Sequence, residues 1–215
     1  MYQTETDQVL ITVLLIYLGV IFFALIIGLA SYLFKSIGMY TMGKRKGIQN
    51  AWLAFIPYGR TYFLGELSGP IHLKRKTITN PGIWLILVPI ISSVISSIFM
   101  GLFYASFFAK MIGMTSALSN HASEEAVLRS LFGGPGGFFM IMALILFVLA
   151  SIFLTAVQNV LIVLINKQIY AQYTEDNMAI VHTILGLFIP LYTSIYFFVI
   201  RNNEPIFIQK GGEGY

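Results

Sequence analysis

Arg60 and Glu66 are the only charges in AWLAFIPYGRTYFLGELSGPI, residues 51–71, a stretch otherwise apolar enough to enter a bilayer. An arginine at mid-membrane costs at least about 2.5–3.5 kcal/mol on insertion scales, so it needs a partner, water or a function. Glu66 is six residues on, which puts the two charges on different sides of a straight helix; a direct pair would need a break. Gln158 and Asn159 add polar groups toward the end of another apolar run. These four residues form the candidate intramembrane polar site, suited to contacting an ion or small solute. Each also has a simpler reading. Arg60 can snorkel to an interface. Gln158 and Asn159, with Thr155 on the Asn159 face, can bridge to a neighbouring helix.

Other chemistry is missing at the level of motif. His72, His121 and His182 lie on three separate segments, and no HExxH or comparable metal-ligand spacing occurs. GGPGG at 133–137 lacks the Lys-Ser/Thr of a phosphate loop and runs straight into an apolar segment, so it reads as a flexible entry to a helix. No serine has a convincing histidine or carboxylate partner, and Asp7 and Asp176 both fall in polar stretches. With no cysteine, thiolate and disulfide chemistry are excluded. The expectation is a protein that is not an enzyme and that uses neither a metal nor a cofactor. Nothing points to nucleic acid.

Two further patterns concern contact. Ser93, Ser97, Gly101, Ala105 and Ala109 recur every fourth residue, with Ser92 and Ser96 on a neighbouring row. Small residues at this spacing let a second helix approach closely; the partner is the same chain, another copy or another membrane protein. The clusters Lys44-Arg45-Lys46 and Lys74-Arg75-Lys76 could hold anionic lipid headgroups, although basic clusters also serve simply to fix topology.

The elements that must position these residues follow from composition. The 215 residues are 57% hydrophobic and only 10% charged, against about 25% charged in soluble domains. The apolar residues come in long runs, since roughly 20 of them cross a hydrocarbon core of about 30 Å. The expected fold is an all-α polytopic membrane helix bundle, one domain over 1–215, with five transmembrane helices near 9–34, 51–71, 83–109, 138–165 and 179–200. The alternative is four spans with 51–71 re-entrant, which Pro57, Gly59, Gly65 and Gly69 would suit. The first run lacks a basic leader and is too long for a signal core, so it reads as a retained helix.

The motif FIP occurs at 55–57 and again at 188–190, each time followed by aromatics; upstream, Lys35-Ser36-Ile37 parallels Lys167-Gln168-Ile169. Such order is a mark of folds built from repeats, here a weak inverted repeat if 51–71 spans. Five spans put the N-terminus outside and the C-terminus inside, in the expected sense of positive charge, at the expense of translocating 74–76. Between the third and fourth runs, Ser123 can cap a short surface helix with a Glu125–Arg129 pair and an apolar side at Val127, Leu128 and Leu131. The tail 202–215 should be loose.

GKRKGIQNAWLAFIPYGRTYFLGELSG, followed by NPGIWLILVPII, resembles a family of uncharacterised small bacterial polytopic membrane proteins. The shared pattern is a basic residue and Gly, then Ala-Trp-x-Ala, Ile-Pro and an aromatic, with Trp84 and Pro89 opening the next helix. It covers 43–91, about a quarter of the chain. Arg60 stands where the family usually has a polar residue, often Asn. The resemblance implies a bacterial cytoplasmic membrane and carries no activity. The functional expectation is a non-enzymatic accessory or scaffold subunit of a membrane assembly, in contact with lipids and with other membrane proteins or itself; the alternative is a small-solute or ion transporter or channel component.

Overall fold

The computed structural model describes residues 2–73, 75–119, 123, 125, 126, 129 and 132–206. The described chain is all-α. Its long helices are α1 (Tyr2–Arg45), α3 (Pro81–Ser119) and α4 (Gly134–Tyr170). Each is a nearly uninterrupted run of apolar residues, and each is long and apolar enough to cross a membrane. From residue 7 to residue 29, α1 is exposed around its whole circumference. A helix that is apolar on every side is suited to a lipid environment.

The other two expected spans are broken, both at FIP. In the first, a 3-10 turn (Ala51–Phe55) gives way at Ile56, in extended backbone, to α2 (Pro57–Ser68). In the second, α5 (Asp176–Phe188) ends at Ile189, also extended, and α6 (Pro190–Ile200) begins. The cause is the same in both. Proline's ring forces the preceding residue out of helical backbone, and proline then fits the first position of the next helix because it has no N–H to satisfy. The expectation of one continuous helix over 51–71, or over 179–200, is therefore corrected.

Both breaks are reversals. The rings of His182 and Tyr196 stack with centroids 4.1 Å apart; on one straight helix they would lie about 21 Å apart. A Cβ on Gly186 would sit 2.3 Å from Thr193 Oγ1, so the glycine lets α6 return close against α5. In the first segment Gly59 lies against Leu53. Tyr32 donates to the Phe55 carbonyl at 2.6 Å, and Lys46 to that of Leu67 at 2.7 Å. The 3-10 turn thus climbs back along α1 and α2 descends beside it. Few backbone groups are orphaned at the tips. Proline has no donor to lose, the Tyr32 hydroxyl covers Phe55, and the Thr193 hydroxyl covers Gly186 at 3.3 Å.

Two compact units result: residues 1–82 with 163–215, and residues 83–162. In the first, both hairpins leave from and return to one basic face. Lys46 reaches Gln172, Gln168 donates to the carbonyls of Ser68 and Pro70, and Arg45 donates to those of Arg201 and Asn203. The start of α3 is at this face too, with Gly82 against Gly65. Between α2 and α3 lies a two-strand hairpin, β1 (Ile71–His72) and β2 (Thr77–Ile78). Because both hairpins hang from the same face, the two FIP segments are repeated in the same sense and not inverted. In the second unit α3 and α4 are antiparallel, tied by Gln158 to the Leu85 carbonyl at one end and by Lys110 to that of Gly133 at the other.

Candidate functional site

The four residues of the expected polar site fall in both units. Arg60 and Glu66 belong to the first unit, Gln158 and Asn159 to the second. Arg60, one turn into α2, lays its guanidinium over the Tyr32 ring at 4.2 Å. Glu66 is exposed and borders a cleft of about 290 Å³ with Tyr62, Gly65, Thr79, Asn80 and Gly82. The two charges make no ion pair; among the described residues the ion pair is Lys167 to Asp176, at 2.6 Å. Gln158 donates to the Leu85 carbonyl at 3.4 Å, and its Oε1 is buried with no partner among the described residues. Asn159 is exposed. Gln158 therefore acts as the interhelical tie that amides provide in membranes.

Ser93, Ser97, Gly101, Ala105 and Ala109 all lie on the exposed side of α3, and nothing stands within 4 Å of a Cβ built on Gly101. The side of α3 toward α4 carries Leu85, Val88 and the half-buried Ser92, Ser96 and Phe99 instead. Among the described residues the small-residue seam is exposed along its length.

The two basic clusters separate by role. Arg45 and Lys46, both exposed, donate to backbone carbonyls of the first unit. Lys46, with Gln168 and Gln172, covers the last carbonyls of α2, the groups a helix leaves unpaired at its C-terminus. Its stem is open and its ammonium tucked inward, and burial lowers its pKa to about 8. Tyr173 beside it is pushed up by burial, with Arg45 opposing. Lys44 lies over the Tyr40 ring, and Arg75 and Lys76 are exposed. Lys74 falls outside the described residues, as do His121, Glu124, Val127, Leu128, Leu131 and most of the tail.

Sequence reasoning noted Asn166 as a polar residue at the end of its run but did not assemble the polar interior of the first unit. Ser36, Asn166, Thr183, Thr193 and Ser194 are buried there. Ser31 donates to Ser194 at 2.7 Å, while Ser36 Oγ and Asn166 Oδ1 have no partner among the described residues. The half-buried His182 hydrogen-bonds Tyr192 beside them. It also missed Lys35, whose ammonium lies 5.6 Å from the Phe197 ring. The signal was available in SYLFKS, residues 31–36, where hydroxyls and a lysine fall at helical spacing inside an apolar helix. No group of histidine and carboxylate ligands that could hold a metal occurs among the described residues. No protein-family model, curated protein or solved structure matches the chain.

Proposed function

We propose that this chain is an integral membrane protein with three crossings, α1, α3 and α4, and two re-entrant hairpins entering from the basic face. The outer surface of α5 and α6 supports insertion: Met178, Val181, Ile184, Phe188, Ile195 and Val199 are all exposed and apolar. Re-entrant backbone needs its polar groups covered, and the tip carbonyls are covered by Tyr32 and Thr193. Three crossings leave 44–46, 75–76, Lys167 and Arg201 on one side and Asp7 at the far end of α1. By the positive-inside rule the basic side is cytoplasmic, with the N-terminus outside and the C-terminus inside. This arrangement removes the need to translocate 74–76.

Its role, in this reading, is that of a non-enzymatic scaffold or accessory subunit. The observation that carries it is the small-residue seam: five exposed positions of α3 shaped for close helix approach, with open space at Gly101 among the described residues. Because the chain has no cysteine, Ser97→Cys introduces a single thiol into that seam. Mild oxidation in membranes should give a disulfide-linked dimer, or thiol crosslinking should capture one neighbouring protein, and adding Gly101→Ile should abolish it. An uncrosslinked chain indifferent to Gly101→Ile ends the scaffold reading. A transporter is the second reading. Broken helices beside buried hydroxyls resemble the discontinuous helices that line ion and substrate sites, and Ser36, Asn166, Thr183 and Thr193 would then replace the four residues first expected. Ion-dependent uptake lost in Asn166→Leu would favour it.

A further inference from the structure

A groove of about 420 Å³ runs between α3 and α4 in the second unit. Its walls include the exposed apolar side chains of Leu102 and Phe139; Phe99 and Leu146 stand at one end, Ser106 and Gly136 at the other. Lys110 is one turn beyond Ser106 on α3. A Cβ built on Gly136 would lie 2.9 Å from Lys110 Cε and 3.7 Å from its Nζ, so the ammonium stands at the mouth of the groove. It donates to the Gly133 carbonyl, and an ammonium has three protons to give. Arg129 adjoins the same glycine, with its Cγ 3.2 Å from a Cβ built there. Among the described residues neither cation is ion-paired, not even Arg129 with Glu125 one turn before it. We infer that groove and mouth together hold one anionic phospholipid, an acyl chain between the helices and the phosphate on Lys110 and Arg129.

The depth of the site rests on the three-crossing reading. Counted from the start of α3 at Pro81, Lys110 lies about 44 Å along the helix, and a bilayer with its headgroups is about 40–45 Å thick. The ammonium therefore stands among the outer headgroups, and a lipid enters the groove sideways from its own leaflet. From Gly136 to Leu146 α4 advances about 15 Å, half of a hydrocarbon core of about 30 Å and so the depth of one leaflet's chains. Apolar walls alone would accept a chain from any lipid; the mouth selects. Ammonium and guanidinium bind phosphate oxygens through charge-assisted hydrogen bonds, and the same two charges repel the cationic group of a zwitterionic headgroup. GGPGG gains a role here: Gly136 leaves room for the lysine stem, and the start of α4 adds to the positive field.

The test uses the full chain in bilayer discs of mixed phosphatidylcholine and phosphatidylglycerol, followed by native mass spectrometry. The native chain should retain one phosphatidylglycerol in preference to phosphatidylcholine. Lys110→Gln, which removes the charge, and Ser106→Phe, which fills the groove, should each lower that occupancy at least fivefold. Lys110→Arg should keep most of it, and Arg75→Gln with Lys76→Gln, at the opposite face, should change it less than twofold. One measurement needs no substitution: phosphatidylglycerol should protect Lys110 from acylation several-fold relative to phosphatidylcholine alone. Equal retention of the two lipids, native occupancy in Lys110→Gln, or no protection of Lys110 overturns the inference. Orientation is tested separately by Thr115→Cys, a sole thiol near the same end of α3. If an impermeant maleimide reaches it only from the cytoplasmic side, the topology is reversed and the lipid belongs to the inner leaflet, while the retention result stands.

Discussion

Tyr32 donates its hydroxyl to the carbonyl of Phe55, and that one bond of 2.6 Å ties the tip of the first hairpin to α1. The carbonyl sits where the 3-10 turn ends and no helical donor reaches it. Tyr32→Phe keeps the ring beneath Arg60 and removes only the donor. The expected loss is about 0.5–1.5 kcal/mol, the net contribution of one hydrogen bond at an exposed site. A thermal melt in detergent reads it, and an unchanged midpoint would mean water already serves Phe55.

The second hairpin makes a topological prediction. Glu175 and Asn203 flank α5 and α6 and are both exposed. Single cysteines at the two positions should react with a membrane-impermeant maleimide from the same side of the bilayer. Labelling from opposite sides would require a continuous crossing and would contradict the stacking of His182 on Tyr196.

Gly65 and Gly101 should respond in opposite ways. A Cβ at Gly65 would fall 2.1 Å from the Gly82 nitrogen, a backbone clash that no rotamer relieves. Gly65→Ala should therefore lower stability by about 1–3 kcal/mol. Gly101→Ile meets open space. It should leave the melting midpoint within about 0.5 kcal/mol of the parent and alter only association between chains, measured by crosslinking.

Lys46 gives a pH signature. Its folded pKa is lowered to about 8 by burial, against 10.5 for the free side chain. Between these values the unfolded chain holds a proton that the folded chain has released, so stability rises with pH from about 8 to 10.5 through this group. Below pH 8 the cost of burying the charged ammonium is fully present. After reductive methylation with labelled formaldehyde, the Lys46 resonance should titrate near pH 8. A midpoint near 10.5 would mean that the ammonium is fully hydrated.

The long helices were legible because apolar runs of this length have few other solutions, and α1, α3 and α4 lie where hydropathy placed them. FIP was legible as a repeated motif but not as a pair of reversals. Pro57 and Pro190 announce a break; whether the chain then continues or folds back depends on Gly59, Gly186, Tyr32 and Thr193 making contacts with residues distant along the helix axis. Arg60 stood out because a charge among apolar residues is conspicuous locally. Lys35 did not, since near a helix end it passed for an ordinary topology signal, and only the return of α2 lays Arg60 on the Tyr32 ring one turn away.

The clasp at the end of α2 has a consequence for biosynthesis. Ser68 receives its side-chain donors from Gln168 and Gln172, which follow it by 100 and 104 residues. At ribosomal speeds of about 5–20 residues per second, roughly 5–20 s separate the two. During that interval the nascent hairpin leaves the ribosome with its seat unbuilt. A chain truncated before Gln168 should stay a substrate for insertase or protease, and the first hairpin locks home only once the last long rod has been threaded.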